Sequence, residues 1–178
     1  MPKNILAFGA SSSRASINKQ FATYAAHQVS DADVTILDLN DFEMPIYSID
    51  KEKENGFPDL AQQFKAHIKA ADGIIISFAE HNGAYSAAFK NIFDWVSRIE
   101  KDVWGNKPML LLATSPGARG GRTVLDIALG KFKFMNTNTL ASFSLSGFHS
   151  NFSSENGIQD AELKAAFEEQ MALFENAL

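Results

Sequence analysis

The chain contains no cysteine, which excludes disulfide staples, thiolate metal sites, iron–sulfur clusters and any thiol-based redox cycle. That absence fits a cytoplasmic setting. No apolar run approaches the roughly 18 residues that a membrane-spanning helix needs. Met1-Pro2-Lys3-Asn4 leads into a short apolar run with neither a charged leader nor a cleavage pattern, so neither secretion nor a membrane partner is expected. Positive charge is also short: 16 Lys and Arg face 21 Asp and Glu, for a net charge of -5. The basic residues are scattered, which argues against a nucleic-acid footprint. A small-molecule ligand remains.

What is present describes an ordinary globular chain. Its 178 residues suit a single domain, expected to span 1–178. A chain of that length buries roughly 70% of its surface on folding without staples. A hydrophobic fraction of 46% and a charged fraction of 21% are those of a packed protein rather than a disordered one. Fifteen phenylalanines predict a core filled with aromatic rings.

Short runs rich in β-branched, aliphatic or aromatic residues recur at Ile5–Gly9, Val34–Leu39, Gly73–Phe78, Met109–Thr114 and Leu140–Leu145. Segments with helical spacing separate them. Phe21, Tyr24 and Ala25 give the first its apolar stripe. Leu60, Phe64 and Ile68 mark a second helix after Pro58-Asp59, and Phe89, Ile92, Phe93 and Val96 mark a third. A weaker one covers Thr123–Phe132, and Leu163, Phe167, Met171, Phe174 and Leu178 form the last. Alternation of this kind predicts an α/β fold with a doubly wound five-stranded parallel sheet and helices on both faces. The runs from Ile74 and Leu110 are continuously apolar, as interior parallel strands are, while Val34–Leu39 reads as an edge strand. Asp41–Gly56 reads as one long irregular connection, its Lys51–Glu54 charge run a solvated loop surface.

In such a sheet ligands bind outside the carboxyl ends of the strands, so the loops following them carry the chemistry. After the first strand, Ser11-Ser12-Ser13-Arg14-Ala15-Ser16-Ile17-Asn18 runs into a helix. Hydroxyls, an amide and the free N–H groups of a helix start suit a phosphate monoester. The same residues read equally as a polar turn with Ser16 as helix cap. No Walker loop or G-x-G-x-x-G is present. After the third strand comes Glu80-His81-Asn82-Gly83, whose Asn-Gly pair marks a tight turn. Ser86 there is a candidate cap. After the fourth strand comes Ser115-Pro116-Gly117-Ala118-Arg119-Gly120-Gly121, a backbone able to wrap a ring edge or a chain.

These motifs resemble those of the NADPH-dependent FMN reductase family, which includes bacterial quinone, azo and chromate reductases. The pattern G-S-x-(R/S)-x-x-S-x-N is matched at Ser11, Ser13, Ser16 and Asn18. The longer pattern P-E-Y-N-(G/H)-S-x-S-x-x-L-K-N-x-x-D-W is matched at Glu80, Asn82, Gly83, Ser86, Lys90, Asn91, Asp94 and Trp95. The third, S-x-G-x-x-G-G, is matched at Ser115, Gly117, Gly120 and Gly121. Ala79 and His81 stand where that family has proline and tyrosine, and Ala10 and Ala84 replace a glycine and a serine.

The resemblance implies a flavodoxin-like sheet of strand order 2-1-3-4-5 and bound FMN. It implies an FMN phosphate held by Ser11, Ser13, Ser16, Ile17 and Asn18. Glu80, His81, Asn82 and Gly83 would line the flavin ring through backbone groups, and Ser115, Gly117, Gly120 and Gly121 would contact the ring or the ribityl chain. It implies a reductase that takes hydride from NADPH or NADH and passes electrons to a small acceptor, with no side chain assigned as catalytic and no metal. A homodimer or homotetramer is expected, with Phe89–Trp95, Val96, Ile99, Val103 and Trp104 a candidate interface; Phe89, Ile92 and Phe93 are expected to face the sheet instead, and Trp104 is the residue least easily placed in the core. A flavodoxin-type electron carrier is the competing reading, although its T-x-T-G-x-T loop is missing; a non-enzymatic FMN-binding module is a third.

Overall fold

The computed structural model describes residues 1–178. Its principal sheet has five parallel strands: β1 (Lys3–Ala10), β2 (Ala32–Leu37), β3 (Gly73–Phe78), β4 (Met109–Thr114) and β5 (Leu140–Leu145), in the order β2-β1-β3-β4-β5. Ile5 lies level with Gly73 on one side and Val34 on the other, and Ile74 with Met109. All residues of β3 and β4 are buried, which explains a sequence that is apolar but for Ser77 and Thr114. As edge strands do, β5 alternates half-exposed with buried positions, and β2 alternates half-exposed with exposed ones up to the buried Leu37.

Side chains along a strand point alternately to its two faces, and β1 shows the division directly. Leu6, Phe8 and Ala10 enter one core with Phe64, Phe78, Phe89 and Phe132. Ile5 and Ala7 enter the other with Phe21, Phe143, Phe167 and Phe174. The first core lies under helices α3 (Asp59–Ala70), α4 (Ala87–Ile99) and α5 (Arg122–Phe132), and the second under α1 (Ile17–Gln28) and α6 (Ala161–Glu175). Edge-to-face pairs such as Phe8–Phe64 and Phe78–Phe89, with centroids 5.3 Å apart, fill the first core as the phenylalanine content predicts. No helix is long and apolar enough to cross a membrane.

Two expectations are corrected. Asp41–Gly56 is not an irregular loop throughout, because Ile49–Asn55 forms a short helix, α2, with Ser48 accepting from Lys51 N–H and Gly56 ending it at φ 70°. None of its residues is buried, so the charge run is solvated as expected, but on a helix. The candidate interface is the second correction, except at Phe89, Ile92 and Phe93, which face the core as expected. Phe89, Ile92, Phe93, Trp95, Val96, Val103 and Trp104 are all buried within the chain, Trp104 to 1% exposure. Trp104 packs on Phe132 and Phe93. Its loop is drawn in by the buried Lys65, whose Nζ donates to the Asp102 and Val103 carbonyls and pairs with Glu100 (3.2 Å).

Candidate active site

The parallel sheet delivers the ends of β1, β3 and β4 to one edge. There a cleft of about 230 Å³ is lined by residues from all three following loops: Ser11, Ser13 and Ala15–Asn18 from the first, Ala79–His81 from the second, and Thr114–Pro116 from the third. A larger concavity of about 540 Å³ runs along the outer face of α1 toward Phe152–Glu155 and shares only Ser16 with this cleft. The smaller one lies where a doubly wound sheet places its ligands. It is the candidate site.

The first loop is bent so that its donors converge. Ser11 N–H turns back onto the Gly9 carbonyl (2.8 Å), and Ser13 N–H donates to Ser11 Oγ (3.1 Å). Ser16 Oγ accepts from Lys19 N–H at 3.1 Å and caps α1. That is the cap reading, and it leaves the Ser16 hydroxyl hydrogen free to donate. The amides of Ile17 and Asn18 precede the first intrahelical bond and have no protein partner, so they point at the cleft as unpaired donors at the positive end of α1. Arg14 is exposed and lines the outer concavity instead.

Asn18 behaves differently from the serines around it. Its side chain is 3% exposed, and both of its polar atoms are bonded inside the protein. Oδ1 accepts from Thr114 N–H (3.1 Å) and Ser77 Oγ (2.8 Å), while Nδ2 donates to the Thr114 carbonyl (3.2 Å). The residue therefore ties α1 to the ends of β3 and β4. Its side chain is held by protein partners, whereas its backbone N–H has none.

The second loop is a two-residue hairpin. Glu80-His81 pairs antiparallel with Ala84-Tyr85, and Asn82 (φ 51°) and Gly83 (φ 74°) form its turn. Two successive left-handed residues favour the Asn-Gly sequence seen here. Ser86 follows, buried, accepting from Phe89 N–H (3.2 Å) to cap α4 and donating to the Ala10 carbonyl (2.8 Å). It thereby joins the second loop to the first. Glu80 is the only carboxylate lining the cleft, and it is turned away: Oε2 accepts from Val124 N–H (3.1 Å) at the start of α5. His81 and Asn82 are exposed, and of the turn only His81 reaches the cleft wall.

The third loop approaches the cleft through Ser115 and Pro116, whereas Gly117, Gly120 and Gly121 lie outside its lining. Gly120 has φ 58°, and a Cβ there would meet the Leu145 backbone at 2.9 Å. Gly121 caps α5 in the left-handed region. The loop rests on a segment that the sequence left without a role. Gly147 N–H donates to the Gly117 carbonyl (3.0 Å) and Phe148 N–H to the Ser115 carbonyl (3.0 Å). Both contacts are between backbone atoms, so no side-chain pattern announces them. Arg119 and Arg122 are occupied with Thr123 (2.9 Å) and Asp126 (2.9 Å).

A family model described as NADPH-dependent FMN reductase matches residues 3–150, which contain every loop just described. The chain belongs to the NADPH-dependent FMN reductase family. Among curated relatives of this reductase-family chain, a 2-hydroxy-1,4-benzoquinone reductase of a Burkholderia species is 38% identical over 109 residues, covering 60% of this chain and 57% of the relative. A quinone reductase of Escherichia coli K12 is 34% identical over 79 residues, covering 44% and 42%. The chain thus spans about half the length of these two curated relatives. Among solved structures, a flavoenzyme NAD(P)H:(acceptor) oxidoreductase of Paracoccus denitrificans superposes over 98% of both chains with a TM-score of 0.72 at 17% identity. That likeness establishes the flavodoxin-like fold of this family member.

Proposed function

We propose that the protein is an FMN-dependent NAD(P)H oxidoreductase that reduces a small acceptor of the quinone or azo class, acting as one domain over residues 1–178. The observation that carries this reading is the convergence, in one cleft, of the Ser11, Ser13 and Ser16 hydroxyls with the unpaired Ile17 and Asn18 amides. The donor set fits a phosphate monoester: hydroxyls and backbone N–H groups at a helix start, with the sole carboxylate engaged elsewhere. FMN, when bound, supplies the two-electron chemistry that links nicotinamide to acceptor.

The chain's own residues would do the rest. Ser11, Ser13, Ser16, Ile17 and Asn18 would hold the phosphate, Asn18 through its backbone only. The hairpin from Glu80 to Gly83 would present main-chain groups to the ring, and Ser115 with Pro116 would close the far side. Gly117, Gly120 and Gly121 would shape the third loop rather than line the cleft. No side chain in the cleft is paired as a proton donor and base, so a quinone would take its proton from water as hydride converts it to the hydroquinone. A homodimer or homotetramer is part of the reading, through a surface that does not use the buried side chains of Phe89, Ile92, Phe93, Trp95, Val96, Val103 and Trp104. A cytoplasmic setting supplies the nicotinamide.

The test is anaerobic mixing of FMN-loaded protein with NADPH and, separately, NADH. Bleaching of the flavin absorbance by at least one, followed by its return on adding a quinone, is expected. No bleaching by either refutes the reductase; bleaching that no acceptor reverses refutes the acceptor class.

A further inference from the structure

The cleft that suits a phosphate contains no fixed positive charge. No lysine or arginine lines it, and its donors are hydroxyls and amides, all neutral. The basic side chains of the surrounding elements are engaged or turned elsewhere. Arg14 of the first loop lines the outer concavity, and Lys19 of α1 pairs with Asp38 (2.5 Å). Lys90 of α4 pairs with Asp94 (2.7 Å). Arg119 of the third loop donates to Thr123 Oγ1 (2.9 Å), and Arg122 at the start of α5 pairs with Asp126 (2.9 Å). A phosphate monoester carries close to two negative charges at neutral pH. The positive end of α1 meets them without a side-chain counter-ion.

One side chain of the lining can become a cation. His81 stands on the cleft wall, exposed, and its ring has no partner within the chain. The backbone that carries it is fixed. His81 pairs with Ala84 across the hairpin, and Ser86 Oγ ties the following residues to the Ala10 carbonyl (2.8 Å). Successive residues of a strand point to opposite sides. The bond from Val124 N–H that draws the Glu80 carboxylate to α5 (3.1 Å) therefore leaves His81 on the other side of the hairpin. The sole carboxylate of the lining is thus engaged with a backbone amide and not with the imidazole. A void of about 230 Å³ is only about 8 Å across, so a charge on its wall lies within roughly one Debye length of an anion inside it.

We propose that the His81 imidazole, in its protonated form, is the counter-charge of the phosphate monoester in this cleft, so that ligand binding takes up a proton from solvent. The proposal rests on the FMN-binding part of the reading above and not on its reduction chemistry. Histidine is the side chain type that changes charge near neutral pH. An anion in the cleft favours the charged ring, so affinity is highest where the ring is protonated and falls as pH rises. A lysine in its place would hold the phosphate at every pH, whereas histidine makes the grip conditional on the proton. Because His81 is exposed, the effect is that of a solvent-screened pair, up to about fivefold in Kd.

The test is calorimetric titration of flavin-free protein with FMN from about pH 6.5 to about pH 8.5 at low ionic strength. Kd rises about fivefold across that range, and the rise shrinks in about 0.5 M salt. Riboflavin, which has the ring without the phosphate, shows no such rise. His81→Asn binds FMN as weakly at the acid end as the native chain does at the alkaline end, and its Kd no longer follows pH. The second ionisation of the phosphate itself, near about pH 6, is common to both proteins and cancels in the comparison. His81→Lys keeps tight binding at the alkaline end, which a purely structural role for the residue does not produce. His149→Asn, outside the cleft lining, follows the native chain. A pH dependence that persists in His81→Asn, or that riboflavin shows as steeply as FMN, overturns the proposal and leaves the reductase standing. Proton-linked binding of an FMN that neither NADPH nor NADH bleaches sinks the reductase and keeps His81. Absence of FMN binding at every pH overturns both.

Discussion

Replacing Asn18 with alanine separates a ligand contact from a structural tie. The substitution removes three hydrogen bonds and leaves the Thr114 N–H, the Thr114 carbonyl and the Ser77 hydroxyl without that partner. Thr114 is 1% exposed and Ser77 0%, so water does not replace it. A buried polar group left unpaired costs about 1–3 kcal/mol. The Ser77 hydroxyl can rotate toward another acceptor, so the two backbone groups dominate and the loss is about 3–5 kcal/mol. With a urea m-value of about 2 kcal/mol/M, the unfolding midpoint of flavin-free protein falls by roughly 1.5–2.5 M. Circular dichroism in urea measures it directly. Asn18→Asp keeps both acceptor bonds but sets a carboxylate against the Thr114 carbonyl and beside the cleft. It recovers part of the stability while weakening FMN more than Asn18→Ala does. An Asn18→Ala protein with an unchanged midpoint and a large loss of FMN affinity would refute the reasoning, since the side chain would then be a phosphate ligand.

Gly120→Ala forces a Cβ to within 2.9 Å of the Leu145 backbone at φ 58°, so we expect a loss of at least about 2 kcal/mol in urea unfolding. Lys65→Met removes the donor that draws in the Asp102 and Val103 carbonyls. It is expected to cost about 3 kcal/mol and to raise acrylamide quenching of tryptophan fluorescence as Trp104 loosens. The Lys19 ammonium (2.5 Å), assisted by Asn40 N–H, holds the Asp38 carboxyl at about 2, below its ordinary 3.8. A lowered folded-state value means stability that is present above pH 4 and lost as pH falls through about 2. Asp38→Asn should therefore be less stable than the native chain at neutral pH, with the difference closing between pH 4 and 2 in acid-titrated urea curves.

The sheet was legible because burial on both faces writes itself into sequence. Gly73–Phe78 and Met109–Thr114 are apolar but for Ser77 and Thr114, and their bounds in the structure are those read from the chain. Helix α2 was not legible by the same means. It buries nothing, so it has no stripe, and periodicity cannot find a helix lacking an apolar face. Its signals were at its ends, in Ser48 and Gly56, with Asp50 and Glu52 in the first turn. Trp104 was misread because it sits in a loop, where spacing says nothing about burial. Lys65, which brings that loop inward, lies 38 residues away from Val103 in the chain.

At the site, a motif match could not distinguish a residue that touches a ligand from one that holds such a residue in place. Ser11, Ser16 and Asn18 match one pattern, yet the hydroxyls of the first two are left facing the cleft while the Asn18 amide is spent on Thr114 and Ser77. Ser86, Asn91, Trp95 and Glu80 share the second pattern, and each bonds a backbone group of another segment: Ala10, Met44 with Pro45, Pro45 again, and Val124. Side chains spent in this way fix where loops run without choosing what the loops display. Met44 and Ile46 sit on a backbone fixed by those bonds, while their own side chains make no such tie. Exchanging Asn91 or Trp95 releases the Met44–Tyr47 segment itself. On this account a motif match marks the residues that build the frame of the site as readily as the residues that line its cleft.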